Sequence, residues 1–407
     1  MPDSSESKFA ARMRELRLER GISLRELARI AIYGKSYLHE LETGMKEPTQ
    51  QAAQRIDDAL GAGGELVALA STGMRRREVI ARAGIAVALP QTILSYGRQV
   101  GAGVPQQIIQ RTARLRRIDD YLGGADTYDL YTTELNSTAR LIREGKYSGT
   151  TGRALVAVLS EQAQLAGWAA FDAGRHGDAE RLYRMSLAAA CDAEDQALVG
   201  NAMAFLAYQE LALGRPATDT ATAACDAADS AVTPGVRALL HMRCAWTHAV
   251  NGQPDDVERH LGIGVACLTE PDDRPEPDWV YWVDHREAEI MTGRCWTVLR
   301  RPLRAIAVLE AALTRYEDTH ARDKALYLSW LADAYLDVNE VEQSCATAAR
   351  AVRLSAGVGS NRPGQRIEAF VSRLGPYALL PCVAELRGLV KDQARRRPTR
   401  VASPGTQ

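Results

Sequence analysis

The sequence predicts an all-α protein, in which a five-helix N-terminal domain precedes a solenoid of repeated helix pairs. Its 407 residues are 46% hydrophobic but only 6% aromatic, a composition typical of a soluble helical protein. From position 106 onward, apolar residues recur at helical spacing and the pattern breaks at Gly or Pro. A set of small residues around these breaks returns at a nearly constant interval, which indicates a repeat architecture.

The N-terminal domain contains two predicted helices joined by a tight turn. Ser23 is a good N-cap for a helix with Leu27 on its inner face, and residues 32–34 interrupt that helix. A second, short helix is predicted from Lys35 to Glu42, and Gly44 ends it. The polar outer face of this second helix is formed by Lys35, Ser36, His39 and Glu40. This arrangement is a helix-turn-helix.

Residues 9–61 resemble the Cro/repressor-type, or Xre-like, DNA-binding domain in a joint pattern of motifs. They contain Leu-Arg-x-x-Arg-Gly-x-Ser at 16–23, Glu26-Leu27-Ala28, Ser36-Tyr37-Leu38, Leu41-Glu42-x-Gly44 and Pro48. The chain departs from the family at Ile32, where Gly is usual, at Gly34, where Ser or Thr is the usual cap, and at Leu24, where Gln often contacts phosphate. The resemblance implies that the second helix enters the major groove of double-stranded operator DNA.

That resemblance assigns DNA contacts to the recognition helix and to the loop after it. Lys35 is expected to donate to guanine and Glu40 to accept from cytosine, whereas Thr43 and Lys46 suit phosphate contact. The predicted DNA-binding residues are Lys35, Ser36, His39, Glu40, Thr43 and Lys46. The alternative is that this face is the solvated surface of a structural helix bundle.

Basic charge is concentrated beside the N-terminal domain and at the C-terminus. Residues 1–60 hold ten Lys or Arg and ten Asp or Glu, whereas residues 61–120 hold nine Arg against four acids. Residues 391–407 hold five basic residues against one acid. This distribution favours phosphate contact at one end of the molecule. Because the N-terminal DNA-binding domain itself has no net charge, it should bind DNA weakly as a single copy, which favours action as a homodimer. Arg75, Arg76 and Arg77 either follow the DNA backbone or form a solvated helix end.

Five copies of one pattern predict the solenoid. In the clearest copies, a small residue lies seven positions before a turn and another lies five positions after it, so that two antiparallel helices can approach closely. The turns fall at positions 174, 214, 252, 300 and 339, which are separated by 40, 38, 48 and 39 residues. Residues 150–355 therefore resemble tetratricopeptide repeats, with a non-repetitive helical array as the alternative.

The repeat register also predicts an effector site. The residue that follows the small residue of each first helix is expected on the concave face, and Asn201 lies two turns before one of them. The row consists of Trp168, Asn201, Tyr208, Trp246, Arg294 and Asp333. Aromatic rings offer contact area, and the charged residues offer partners for a carboxylate and an amine, so the row suits a peptide or protein segment. Ordinary packing between repeats is the alternative.

The sequence contains no pattern that predicts an enzyme or a cofactor. No nucleophile–base pair, paired carboxylate or phosphate loop is evident. His241, Cys244 and His248 recur at i, i+3 and i+7, which could gather three metal ligands. Core packing is the favoured interpretation because no fourth ligand is evident, so no metal site is predicted. Seven scattered Cys and the lack of a long apolar run predict a cytoplasmic protein without a membrane span.

These observations predict a transcriptional regulator that joins an Xre-like domain to tetratricopeptide-like repeats. We expect a DNA-binding domain at 8–61, a hinge and basic connector at 62–105, a sensor and dimerisation domain at 106–390, and a disordered basic tail at 391–407. Expected partners are operator DNA, a second copy of the chain, and a peptide or protein effector. The alternative is an interaction scaffold without specific DNA binding.

Overall fold

A computed structural model describes residues 8–46, 48–62, 66, 70, 99–119, 122–227, 232–316, 320–356 and 358–396. Over these residues the chain is helical except for connecting segments and one parallel bridge between Gln99 and Lys146, so the predicted all-α fold is confirmed. No helix in this part of the chain is both long and apolar enough to span a membrane. The expected basic connector at 75–89 and residues 63–64 of the expected hinge at 61–64 lie outside the described residues.

The N-terminal domain is built from α1 (Lys8–Glu19), α2 (Leu24–Ala31), α3 (Lys35–Glu42) and α4 (Gln50–Leu60). Their apolar faces meet in one core that includes Phe9, Met13, Leu27, Leu38 and Ile56. The predicted caps form, because the hydroxyls of Ser23 and Thr49 accept backbone N–H groups at 3.2 and 3.1 Å. Leu66 and Ala70 are helical and buried in the same core, where a fifth helix is expected.

The turn between α2 and α3 is formed by a residue that is unusual at such a position. Ile32 adopts a left-handed conformation with φ of 57°, and its side chain is 74% exposed. A β-branched residue is strained in this region, and a buried contact does not offset the strain here. The turn therefore keeps the geometry of a helix-turn-helix although it lacks the usual glycine.

An ion pair inside the domain fixes α3 relative to α1. The guanidinium of Arg17 donates to both carboxylate oxygens of Glu42, at 2.6 and 3.0 Å, and to the carbonyl of Ile22 at 3.0 Å. Glu42 is only 6% exposed. Because this bidentate geometry is directional, it helps to set the orientation of the recognition helix.

The rest of the described chain is an array of antiparallel helices. Two helices precede the repeats, α5 (Val104–Asp119) and α6 (Gly124–Glu144). The five pairs are α7 (Gly149–Asp172) with α8 (His176–Asp192), α9 (Gln196–Ala212) with α10 (Thr218–Ala227), α11 (Pro234–Val250) with α12 (Pro254–Cys267), α13 (His285–Val298) with α14 (Pro302–Thr314), and α15 (Ala321–Asp337) with α16 (Val341–Ser355). A 3₁₀ turn at Asp278–Val280 lies between α12 and α13.

Two further helices end the array, α17 (Arg362–Arg373) and α18 (Pro381–Arg396), with a 3₁₀ turn at Gly375–Tyr377 between them. Helix α18 continues to Arg396, so it includes residues 391–396 of the segment for which we expected disorder. Residues 397–407 lie outside the described residues.

The backbone at the five sequence-predicted turns supports the repeat register. All five turn residues adopt left-handed conformations: Gly174, Gly214, Gly252, Arg300 and Asn339, with φ between 55° and 78°. The small residues before the turns allow close packing, because a Cβ on Gly167 would lie 2.5 Å from the Tyr183 ring. A Cβ on Gly293 would lie 2.4 Å from Leu309. The tetratricopeptide-like arrangement of helix pairs is thus confirmed.

The array closes on itself, which the sequence did not predict. The loop before α17 reaches the start of α6 and the end of α7: the N–H of Ala125 donates to the carbonyl of Gly359 at 2.9 Å, and Asn361 donates to that of Asp172 at 2.9 Å. A buried ion pair between Arg322 and Asp119, 2.8 Å long, joins α15 to α5. Because these contacts join residues 189 to 234 positions apart, the concave face becomes the wall of a cavity.

Candidate functional site

Helix α3 presents its predicted DNA-binding residues to solvent. Lys35, Ser36 and His39 are exposed, whereas Leu38 and Leu41 on the opposite face are fully buried. The face predicted from the 3.6-residue period is therefore free for a partner.

The remaining predicted DNA-binding residues make local contacts around the C-terminal end of α3. The hydroxyl of Thr43 donates to the carbonyl of His39 at 2.7 Å. Nζ of Lys46 lies 3.5 Å from a carboxylate oxygen of Glu40 and 5.1 Å from the centroid of the Tyr37 ring. Thr43 and Lys46 are exposed, so both stay within reach of a phosphate beside the helix.

The concave face of the helical array encloses a cavity of about 320 Å³. Most of the wall comes from the first helices of successive pairs, with further side chains from α5, from residues 279–284 before α13, and from α17. Four residues of the sequence-predicted row line it: Trp168, Asn201, Tyr208 and Arg294. The cavity is at the lower end of the size range of small-molecule pockets.

Three guanidinium groups surround Tyr208; we call Arg243, Arg294 and Arg362 the arginine cluster. Arg294 and Arg362 donate to the Tyr208 hydroxyl oxygen at 3.2 and 3.3 Å. The guanidinium carbon of Arg243 lies 4.7 Å from the centroid of the same ring. Within the described part of the chain, Arg243 and Arg294 form no ion pair, and the buried Nε of Arg294 has no hydrogen-bond partner. Arg362 forms a long ion pair with Asp172, at 3.8 Å.

This excess of positive charge changes the acidity of Tyr208. Burial raises the pKa of the phenol, but the guanidinium groups of Arg362, Arg294 and Arg243 favour the phenolate more strongly and lower the pKa to about 7. An anion is therefore stabilised at this position, whether it is the phenolate itself or a negatively charged group of a ligand.

Other charged groups in the cavity wall are paired within the protein. Arg322 contacts Asp119 at 2.8 Å, and Arg116 contacts Glu161 at 2.9 Å. Burial raises the pKa of Glu287 to about 7, although nearby Arg294 opposes this rise. At neutral pH Glu287 is thus only partly ionised, so it balances the charge of the arginine cluster only in part.

The other two residues of the predicted row lie behind the cavity wall. The guanidinium carbon of Arg294 is 4.5 Å from the ring centroid of Trp246, and that ring meets Trp330 at 5.3 Å. Arg366 lies over Trp330 at 3.5 Å and forms an ion pair with Asp333. Trp246 therefore packs against the guanidinium of Arg294 on the side away from the cavity. Asp333 forms ion pairs with two arginines of α17, Arg366 and Arg373.

Sequence reasoning missed two members of the arginine cluster. Arg243 lies three residues before Trp246, so the same helical-face argument that selected Asn201 would have found it. Arg362 belongs to the closing helix α17, where no repeat register indicates an inward direction. Its position follows from the closure of the array and from its ring contact with Trp168, 4.6 Å from the centroid.

A cluster of cysteine and histidine side chains lies where α11 packs against α10 and α12. The structure brings Cys225 and His260 to Cys244, and the candidate ligand atoms of these three residues lie within 4.8 Å of one another. His241 also contacts His260, whereas the ring nitrogen of His248 contacts Gln253 instead at 2.8 Å. His241, Cys244 and His248, for which core packing was the favoured interpretation, are therefore not the group whose ligand atoms converge.

The comparisons with known proteins concern the N-terminal domain and the fold. No curated protein matches the chain. A solved structure, Bacillus thuringiensis PlcR in complex with the peptide PapR7 and DNA, aligns with 91% of this chain and 99% of its own at 11% identity and a TM-score of 0.27. Residues 8–70 match the family model of a helix-turn-helix domain, so this part of the chain is a helix-turn-helix domain.

Proposed function

We propose that the protein is a sequence-specific DNA-binding transcriptional regulator of the Xre-like kind, and that its helical array binds a short peptide effector. The observation that carries the effector assignment is the arginine cluster around Tyr208, because two of its members, Arg243 and Arg294, have no ion-pair partner among the described residues. The helix-turn-helix domain, with an unobstructed polar face on α3, carries the DNA assignment.

The DNA-binding surface is the outer face of α3 together with the loop after it. Lys35 is in the first turn of α3, the part of a recognition helix that usually meets base edges. Lys46 follows the helix and suits a phosphate, which positions the domain without reading sequence. We therefore assign base contact to Lys35, Ser36, His39 and Glu40, and phosphate contact to Thr43 and Lys46.

The effector is a short peptide whose carboxylate binds at the arginine cluster. Guanidinium groups match carboxylate geometry, and the hydrogen bonds they form with it are stronger because both partners are charged. Trp168 and Tyr208 supply aromatic surface for an adjacent side chain. A cavity of about 320 Å³ holds a ligand of a few residues, so a short peptide is favoured over a segment of a folded protein.

The regulator acts as a homodimer. The first 60 residues carry equal numbers of basic and acidic groups, so one domain gains little from the general attraction to phosphate. Two copies that bind adjacent half-sites would supply the missing affinity and match a two-fold symmetric operator. Sedimentation of the protein–DNA complex tests this, and a monomer bound to one half-site at full affinity would contradict it.

The DNA assignment is tested by selecting bound sequences from random DNA and then measuring affinity for the selected site. We expect Lys35→Ala to cost about 1–3 kcal/mol on that site and less on random DNA. Lys46→Ala should weaken binding to all sequences and reduce the salt slope by about one. Lys146→Ala, which alters an exposed lysine between α6 and α7, is the matched control and should change neither value. Equal, sequence-independent losses for both α3-region variants would favour the scaffold alternative.

The effector assignment is tested with a library of short peptides carrying either a free or an amidated C-terminus. We expect binders only among peptides with a free carboxylate, and a loss of at least tenfold in affinity for Arg294→Gln and Arg243→Met. Arg304→Gln is the control. Arg304 also lies over a tryptophan ring, that of Trp296, but neither residue lines the cavity. Selection of amidated peptides, or equal losses in all three variants, would contradict the assignment.

A further inference from the structure

The cysteine and histidine cluster beside α11 has the composition and spacing of a metal site. Cys225 lies on α10, Cys244 on α11 and His260 on α12, so three helices converge on it. Cys244 and His260 are buried, and Cys225 is partly buried. This cluster shares no residue with the arginine cluster. It lies where α11 packs against α10 and α12.

The distances suit tetrahedral coordination by two sulfurs and one nitrogen. Bond lengths of about 2.3 Å to sulfur and 2.0–2.1 Å to nitrogen place neighbouring ligand atoms about 3.3–3.8 Å apart. Sγ of Cys244 lies 3.6 Å from Nε2 of His260, and Sγ of Cys225 lies within 4.8 Å of both. A shift of about 1 Å in one side chain would complete the ligand set.

We propose that Cys225, Cys244 and His260 bind a Zn²⁺ ion through their two sulfurs and Nε2 of the imidazole. Two thiolates balance the charge of the cation, so the loaded site is neutral and its burial costs little. Binding releases the two thiol protons to solvent. The fourth position is open to water, because Cys225 and the neighbouring His241 are partly exposed.

His241 acts as a positioning residue for this site. Its Nδ1 lies 2.9 Å from Nδ1 of His260. When Nε2 of His260 is the ligand, its proton resides on Nδ1 and is donated to His241, which fixes the orientation of the ligating ring. Ligating histidines generally have such a partner on the second ring nitrogen, and its removal typically weakens metal binding by about 10–100-fold.

The metal would tie α10 and α12 to α11, the helix that also carries Arg243 of the arginine cluster. Metal-free packing of the same residues explains less, because it leaves two thiols and two imidazoles gathered at one contact between three helices without a shared function. The proposal does not depend on the effector assignment, because the cluster would bind metal whether or not the cavity holds a peptide.

The test is a titration of the reduced, metal-free full-length protein with Co²⁺, followed by Zn²⁺. We expect one equivalent of Co²⁺ to give thiolate-to-metal charge transfer and the visible bands of a tetrahedral site, and one equivalent of Zn²⁺ to abolish both. Cys225→Ser and Cys244→Ser should each weaken the charge-transfer band by about half or more, the double variant should lose it, and His241→Gln should keep the spectrum but weaken binding about tenfold. Cys191→Ser, which removes an exposed thiol outside the cluster, is the control.

Circular dichroism shows whether each variant is folded. Whether the protein binds a metal ion is decided with the unmodified protein, which needs no variant. Absence of a one-equivalent tetrahedral cobalt spectrum in the unmodified protein would overturn the proposal. A spectrum that survives in the folded Cys225→Ser, Cys244→Ser double variant would also overturn it, because the metal would then bind elsewhere.

Discussion

The helix-turn-helix domain and the helical array both enclose arginine side chains, but they treat the charge differently. In the N-terminal domain, Arg17 donates to both carboxylate oxygens of Glu42 and to a backbone carbonyl. In the array, Arg243 and Arg294 contact aromatic rings and no ion-pair partner among the described residues.

That difference separates structural charge from functional charge. A buried ion pair with satisfied hydrogen bonds holds two helices in a fixed relation, and its removal leaves an uncompensated charge. A buried arginine without a carboxylate partner does not hold two helices together in this way. It instead favours the binding of an anion beside it. The array contains both kinds, since Arg322 is paired with Asp119 while Arg243 and Arg294 have no ion-pair partner among the described residues.

The largest effect is expected where a paired arginine closes the array. Arg322→Ala leaves Asp119 buried without its partner and should lower the free energy of unfolding by about 3 kcal/mol at pH 7.5, measured by urea denaturation. Burial already raises the pKa of Asp119 to about 6, and Arg322 opposes that rise. Without Arg322 the pKa of Asp119 rises further, so the carboxyl binds a proton more readily in the folded state. Part of the loss should therefore be recovered at pH 5.

A smaller loss is expected for the paired arginine of the N-terminal domain. Arg17→Ala removes the bidentate contact to Glu42 and should lower the free energy of unfolding of this domain by about 2 kcal/mol. Arg14 lies 3.8 Å from the same carboxylate and limits the loss. Hydrogen exchange of α1–α4 amides measures the change. If the amides of α1–α4 exchange at the same rates in the variant and in the unmodified protein, the Arg17–Glu42 ion pair does not hold α3 in place.

The strained turn of the same domain should yield a gain in stability. Ile32→Gly removes the cost of a left-handed β-branched residue and should raise the free energy of unfolding by about 1 kcal/mol. Ile32→Ala is the control, because it shortens the exposed side chain but keeps a Cβ at the same φ. A gain of equal size in both variants would show that exposure of the side chain, not the backbone conformation, sets the cost.

The smallest effect on stability is expected for an unpaired arginine of the cavity. Arg243→Met should change the free energy of unfolding by less than about 1 kcal/mol, since no ion pair is broken and the lost ring contact is offset by the lower cost of burial. The same variant should bind free-carboxylate peptides at least tenfold more weakly. A loss of stability as large as that of Arg322→Ala would place Arg243 among the structural charges.

The parts of this structure that depend on local signals could be predicted from the sequence. The caps at Ser23 and Thr49 form as expected, and Arg300 and Asn339 were located as turn residues from spacing alone, although neither is glycine. Local rules suffice there because each helix end is determined by a few neighbouring residues.

The cavity could be predicted only in part, because its closure depends on contacts between distant segments. Trp168, Asn201, Tyr208 and Arg294 were found from the repeat register, which is periodic. The role of Arg362 follows from hydrogen bonds between residues 188 positions apart, such as that from Ser360 to Asp172. No periodic pattern in the sequence predicts that contact between the loop before α17 and the end of α7. The same reason explains why Cys225 and His260, on different helices from Cys244, were not foreseen.

The ionisation of Tyr208 also governs how effector binding should depend on pH. A phenolate competes with the ligand carboxylate for the arginine cluster, so affinity should fall as pH rises through about 7. Ionisation of Glu287, whose pKa is also about 7, acts in the same direction. With binding restricted to the protonated phenol, affinity should fall about tenfold between pH 6 and pH 8.

Spectrophotometric titration of the tyrosines tests the unbalanced charge of the cavity most directly and needs no ligand. The chain contains 14 tyrosines, and we expect one of them to develop tyrosinate absorbance near pH 7, well below the others. Tyr208→Phe should remove this early step, and Arg294→Gln should move it to higher pH. If no tyrosine of the folded protein ionises until the usual range near pH 10, the arginine cluster does not create an anion site.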